Sequence, residues 1–108
     1  MELNNYQAQS QKTAIYPKDR GLEYVTLGLV GEAGEIANKV KKIIRDNNSV
    51  CADDHRKDLA KELGDVLWYC AALASELGVE LNTVAQANVD KLTKRKENGV
   101  LQGSGDNR

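Results

Sequence analysis

The sequence predicts an all-α domain of the four-helix-bundle type. Long stretches carry apolar residues at the spacing of a helix, only one proline occurs in 108 residues, and the connections between the stretches are short. A chain of this length forms one compact domain. We expect that domain to cover residues 1–99, and residues 100–108, rich in glycine and polar side chains, to form a frayed tail.

The first predicted helix is a polar segment that Pro17 terminates, since a proline disfavours helix at the residue before it. The predicted helical segments are residues 2–14, Leu22–Arg45, His55–Leu77 and Leu81–Lys96. In the loop before the third helix, Asp53 or Asp54 is the candidate N-cap. Gly78 terminates the third helix. Short connections make neighbouring helices antiparallel.

The third helix is apolar or small on two sides, so it needs two packing partners. One side carries Leu59, Leu63, Val66, Cys70, Leu73 and Leu77; the other carries Gly64, Trp68, Ala71 and Ala72. A second subunit is the predicted partner for the second side, in a homodimer or homotetramer. The alternative is that the N-terminal helix covers Trp68.

Composition excludes several classes of protein. The net charge of -1 gives no basic field for a nucleic-acid polymer. No segment approaches the roughly 18 apolar residues of a membrane span, and the N-terminus lacks the apolar region of a signal peptide, so we expect a cytoplasmic protein without membrane partners. Cys51 and Cys70 form no pattern typical of zinc or of a disulfide framework.

Two pairs of acids are spaced three residues apart: Glu32 with Glu35, and Glu62 with Asp65. The spacing itself is no evidence, because this composition predicts about two such pairs by chance. Position on the helix is more informative, since Glu32 and Glu62 border the apolar stripes of their helices. Carboxylates that meet at one seam repel each other unless a hard cation such as Mg²⁺ neutralises them.

The fourth helix carries a complementary strip. Asn88 lies within its apolar stripe, and Lys91 and Arg95 flank it on one side. An amide and two cations along one edge can hold phosphate oxygens. The alternative is that Lys91 and Arg95 extend from the seam and pair with acids.

Three glycines interrupt the first acidic helix at positions 28, 31 and 34, although each weakens a helix by about 0.5–1 kcal/mol relative to alanine. We interpret them mainly as a surface for close packing of a neighbouring helix. The missing side chains also leave room beside Glu32 and Glu35 for a metal ion and a triphosphate.

Three blocks together resemble the MazG-like nucleoside triphosphate pyrophosphohydrolases: "GLVGEAGE" (28–35), "KELGDVLWY" (61–69) and "NVDKLTKR" (88–95). The family motif is ExxE followed after a spacer by ExxD, and then an Asn-x-x-Lys-x-x-x-Arg segment. The three blocks occur here in that order. Some members carry an extra acid just before the first pair, where this chain has Gly31.

The resemblance implies an all-α domain that forms a dimer or a dimer of dimers. It implies Mg²⁺-dependent hydrolysis of a (deoxy)nucleoside triphosphate to the monophosphate and pyrophosphate, with Mn²⁺ as a substitute metal. By position, the metal ligands are Glu32, Glu35, Glu62 and Asp65, and the phosphate-binding residues are Asn88, Lys91 and Arg95. Glu35 is the candidate general base.

Trp68 and Tyr69 are candidates for stacking on the base, with packing as the alternative role. Related enzymes of the superfamily hydrolyse dUTP, dCTP or phosphoribosyl-ATP, and the shared metal motif does not choose among them. A non-catalytic helical interaction module is the alternative from another class. A di-iron carboxylate bundle is excluded, because it needs Glu-x-x-His pairs and the chain has one histidine.

Overall fold

Four helices make up the structure, a computed structural model that describes all 108 residues. The helices are α1 (Leu3–Ser10), α2 (Gly21–Asp46), α3 (Asp53–Glu76) and α4 (Leu81–Glu97), with 3-10 turns at Gln11–Thr13 and Lys18–Arg20. The predicted all-α fold is confirmed, and the predicted bounds of the three long helices hold within two residues. None of the helices combines the length and hydropathy that a membrane-spanning segment requires.

The ends of α3 show one correct and one wrong prediction. At the C-terminus, Gly78 has a φ of 70°, and the N–H of Val79 donates to the carbonyl of Ala74 at 3.0 Å, which is the hydrogen bond of a Schellman motif. At the N-terminus, neither Asp53 nor Asp54 is the cap. Ala52 is the N-cap residue, and its N–H donates to Nδ1 of His55 at 3.1 Å. A side chain from inside the first turn therefore does the capping.

Helix α1 fixes the start of α4. The first N–H groups of a helix lack partners within the helix, and here α1 supplies them: Leu81 N donates to Gln7 Oε1 at 2.8 Å, and Asn82 N donates to Asn4 Oδ1 at 2.9 Å. Gln7 Nε2 also donates to the carbonyl of Val79 at 2.9 Å. These contacts hold α4 against α1 and the C-terminal end of α3.

The core lies between α2 and α3, which run antiparallel. Val25 and Ala72 are completely buried and pack with Ala14 and Tyr16 from the segment before α2. The Tyr16 hydroxyl donates to Glu76 Oε1 at 2.7 Å. Burial, together with this hydrogen bond, raises the pKa of Tyr16 to about 12. The segment before α2 is thus tied to α3 by packing and by a charged hydrogen bond.

The apolar surface of α3, taken over both of its predicted sides, is covered along half of its length. Near the C-terminus, Ala71 and Ala74 are buried under Leu3 and Tyr6 of α1, and Trp68 contacts the N-terminal segment through Thr13, as the single-chain alternative predicts. Near the N-terminus, Leu63 and Leu67 remain 60% and 39% exposed. One chain therefore leaves an apolar face of α3 uncovered.

The glycines of α2 have different surroundings. A Cβ on Gly28 would lie 2.1 Å from Cε1 of Tyr69, so close packing is confirmed there, whereas Gly31 and Gly34 have nothing within 4 Å. We predict that Gly28→Ala lowers the free energy of unfolding by about 1–3 kcal/mol through overpacking. Gly31→Ala, the matched control, should raise it by about 0.5–1 kcal/mol. Urea unfolding of both variants measures the difference, and equal effects would contradict the assigned contact.

Candidate metal centre

The two acidic motifs meet where α2 crosses the middle of α3. Carboxylate oxygens of Glu32, Glu62 and Asp65 all lie within 4.8 Å of one another. Glu32 and Glu62 are partly buried and Asp65 is exposed, as expected for side chains that border the apolar stripes. The antiparallel packing of α2 on α3 therefore converges three acids that are up to 33 residues apart in the chain.

The crowding of these acids changes the pKa of Glu32. Partial desolvation raises it first, and the charges of Asp65, Glu62 and Glu35 raise it further. A raised pKa means that the folded chain binds the proton more tightly than the unfolded chain does. The metal-free protein therefore loses stability as the pH rises through the region just above the ordinary glutamate pKa.

We predict that Glu32→Gln raises the melting temperature of the metal-free protein at pH 7, because the substitution removes a charge that the neighbouring acids repel. The same substitution should abolish the stabilisation of the fold by Mg²⁺. At pH 4 the gain should shrink, since Glu32 is then largely protonated in the folded wild type. Thermal unfolding in EDTA at both pH values, and with Mg²⁺ at pH 7, provides the measurement. A lower melting temperature in EDTA at pH 7 would contradict this account.

Glu35 stands apart from the other three acids. It is exposed and does not belong to the group whose oxygens lie within 4.8 Å. Its charge is the smallest of the named contributions to the raised pKa of Glu32. Glu35 is therefore near the cluster without being part of it, and its predicted ligand role stays a prediction.

An open cleft of about 320 Å³ lies beside the cluster, lined by Thr13, Glu32, Asp65, Trp68 and Tyr69. Trp68 is held in place on three sides. Its Nε1–H donates to Thr13 Oγ1 at 2.9 Å, and its ring meets those of Tyr16 and Tyr69 edge-on, at centroid distances of 6.4 and 5.0 Å. Trp68 therefore packs against its neighbours and also exposes an aromatic surface to the cleft. The sequence did not predict that Thr13 accepts the hydrogen bond from Trp68.

A second residue that sequence reasoning missed is Lys39. Its Nζ lies 2.8 Å from Glu62 Oε1 and 2.8 Å from Asp58 Oδ2. The spacing in the sequence indicates this position, because Lys39 follows Glu32 by seven residues and thus lies on the same side of α2. The two hydrogen bonds raise the pKa of Lys39 well above its usual range, so its ammonium group stays charged.

The strip on α4 is not brought to the acids within one chain. No residue of α4 lines the cleft beside the cluster. Asn88 and Lys91 are exposed, and Arg95 is buried and donates from Nη2 to the carbonyl of Asp106 at 2.8 Å. In this chain Arg95 therefore packs against residues 100–108, and the predicted phosphate role of the strip stays a prediction.

The donor set suits a hard divalent cation. An octahedral ion with ligands at about 2.1 Å places opposite oxygens about 4.2 Å apart, so the three carboxylates need only small rotations to share one ion. Their oxygens are the ligand type that Mg²⁺ and Mn²⁺ prefer, and the cluster contains no nitrogen or sulfur ligand that would favour zinc. Desolvation and then the charges of the neighbouring acids raise the pKa of Glu32, and such an ion would relieve the repulsion among those charges.

The fold and the cluster together define a class: an all-α domain with a carboxylate centre between two antiparallel helices. Comparison with known proteins agrees, since the MazG nucleotide pyrophosphohydrolase domain matches residues 20–100. The chain therefore belongs to the MazG nucleotide pyrophosphohydrolase family. The match includes α2, α3 and α4 with all the acids of the cluster.

Two relatives are similar to the chain over most of its length. Gene 37 protein of Mycobacterium phage L5 is 57% identical over 114 aligned positions that cover all of both chains. Uncharacterized protein YvdC of Bacillus subtilis (strain 168) is 39% identical over 99 positions, covering 83% of this chain and 93% of the relative. No solved structure matches the chain with statistical significance.

Proposed function

We propose that the chain hydrolyses a (deoxy)nucleoside triphosphate to the monophosphate and pyrophosphate, with Mg²⁺ or Mn²⁺ held by Glu32, Glu62 and Asp65. The observation that carries the proposal is the joint placement of the three acids and an aromatic cleft: two of the acids line the cleft. A base that stacks in the cleft would place its triphosphate beside the carboxylates. Control of nucleotide pools and removal of damaged nucleotides are both uses of this reaction.

Each group of the chain has a distinct task. When bound, the divalent cation supplies positive charge that acidifies water and neutralises phosphate oxygens. Trp68 and Tyr69 hold the base by stacking, at an orientation fixed by Thr13 and Tyr16. Glu35, exposed beside the cluster, accepts a proton from the attacking water or completes the ligand set. Attack at the α-phosphorus breaks its bond to the bridging oxygen, and pyrophosphate leaves.

The phosphates would be held by Asn88, Lys91 and Arg95 of a second copy, with Arg95 giving up its hydrogen bond to the carbonyl of Asp106 in favour of a phosphate oxygen. The openness of one chain supports this arrangement. Its radius of gyration is 16.9 Å, against about 13 Å for a compact domain of this length. Its accessible surface is 7857 Å², about 1,900 Å² more than a compact monomer of this mass exposes. That excess is comparable to the area that one copy loses in an obligate dimer.

The test is to supply the purified protein with a panel of normal and modified dNTPs and Mg²⁺. Phosphate assays with and without added pyrophosphatase distinguish pyrophosphate release from orthophosphate release, and kcat/KM values rank the bases. We expect phosphate signal only after pyrophosphatase is added. Direct orthophosphate release, or no turnover of any dNTP, would contradict the proposal.

The alternatives make different predictions. A non-catalytic interaction module would use the uncovered apolar faces but would show no thermal stabilisation by low-millimolar Mg²⁺. Preference for dCTP, dUTP or phosphoribosyl-ATP would narrow the activity within the enzyme class. The acid cluster favours the enzyme, because a module has no need for three carboxylates at the same crossing.

A further inference from the structure

We propose that Lys39 competes with the metal ion for Glu62. In the metal-free chain Lys39 holds the Glu62 carboxylate, and this ion pair weakens the affinity of the centre for divalent cations. The proposal rests on the proposed metal site. Its starting point is that one carboxylate serves two partners: Glu62 is paired with Lys39 at 2.8 Å and also belongs to the cluster with Glu32 and Asp65.

The position of Lys39 explains why the metal-free cluster can exist. Glu62 and Lys39 are largely shielded from solvent, with side chains 17% and 29% exposed. Without the ammonium group, three neighbouring carboxylates would have no cation in contact with them. Lys39 therefore neutralises one negative charge at a crowded site. The lower net charge also weakens the attraction of the site for a divalent ion.

Asp58 gives Lys39 a second position. It lies one helical turn before Glu62 on α3, its side chain is 53% exposed, and its Oδ2 is 2.8 Å from Lys39 Nζ. Asp58 is outside the cluster, so Lys39 can keep this partner when Glu62 turns toward a cation. The ammonium group of Lys39 thus competes with a metal ion when it pairs with Glu62, and it does not compete when it pairs with Asp58 alone.

Two substitutions should therefore change metal affinity in opposite directions. Lys39→Met keeps a similar shape without the charge, and we expect it to lower the Kd for Mn²⁺ by about 5- to 30-fold and to lower the melting temperature in EDTA. Asp58→Asn removes the second position, and we expect it to raise the Kd several-fold. Lys39→Arg keeps the charge, so its Kd for Mn²⁺ and its melting temperature in EDTA should be close to those of the wild type.

Mn²⁺ binding to each full-length variant can be measured by calorimetry and electron paramagnetic resonance, so no turnover is needed. Lys42→Met, which removes the same charge from the same helix without an ion pair to the cluster, controls for long-range charge. An unchanged or higher Kd for Lys39→Met would overturn the proposal and show that Lys39 only positions Glu62. Absence of Mn²⁺ binding by the wild type would instead overturn the metal centre itself.

Discussion

Replacement of Asp65 by asparagine is expected to lower kcat/KM for dNTP hydrolysis by at least about a hundredfold and to remove stabilisation of the fold by Mg²⁺. Asparagine keeps the shape of the side chain but removes the charge of one of three converging carboxylates. Because Asp65 is exposed and has no ion pair in the chain, the fold itself should not suffer. The measurements are initial rates of pyrophosphate release and melting temperatures with and without Mg²⁺.

The matched control for Asp65→Asn is Asp54→Asn on the same helix. Asp54 is exposed, lies in the first turn of α3, and is not a member of the cluster. Its replacement should leave kcat/KM and the response to Mg²⁺ within about twofold of wild type. Equal activity of the Asp65 variant and the wild type would exclude Asp65 as a metal ligand.

The helices and the acids at their edges were predictable because both follow from rotation along a single helix. Apolar periodicity fixes which side of α2 faces α3, and Glu32 lies at the edge of that side. Glu35 lies about 60° around α2 from Glu32 and is outside the cluster, whereas Asp65 lies at the same angle from Glu62 and belongs to it. The sequence therefore predicts which faces of α2 and α3 meet, but it predicts less well which acids beside that interface come together in the cluster.

The contacts that the sequence does not predict depend on how whole helices are placed against each other. The pairing of Lys39 with Glu62 requires a particular stagger of α2 along α3, and periodicity does not encode stagger. The direction of α4 depends on two side chains of α1, Gln7 and Asn4, that cap its first turn. For that reason the strip with Arg95 could be recognised on its helix but not placed relative to the acids.

The uncovered part of α3 leads to the second prediction with a large effect. We expect the wild type to have a mass two or four times that of the 11.9 kDa chain, and we expect Leu63→Glu to convert this proposed assembly into monomers. Leu63 is 60% exposed in one chain, so the charge should leave the monomer fold intact, whereas a carboxylate buried at an apolar interface costs several kcal/mol. Light scattering gives the mass, and circular dichroism reports retained helix.

Activity should fall together with the assembly in the Leu63→Glu variant. The acids and the cleft belong to one chain, but the proposed phosphate-binding residues, Asn88, Lys91 and Arg95, do not line that cleft and would come from the partner. We therefore expect the monomeric variant to retain Mn²⁺ binding and to lose turnover by at least about tenfold. Val50→Glu, the same charge change at a 63% exposed position between α2 and α3, is the control and should change neither mass nor turnover. A monomeric variant with full activity would show that one chain is sufficient and that the cations on α4 serve the fold alone.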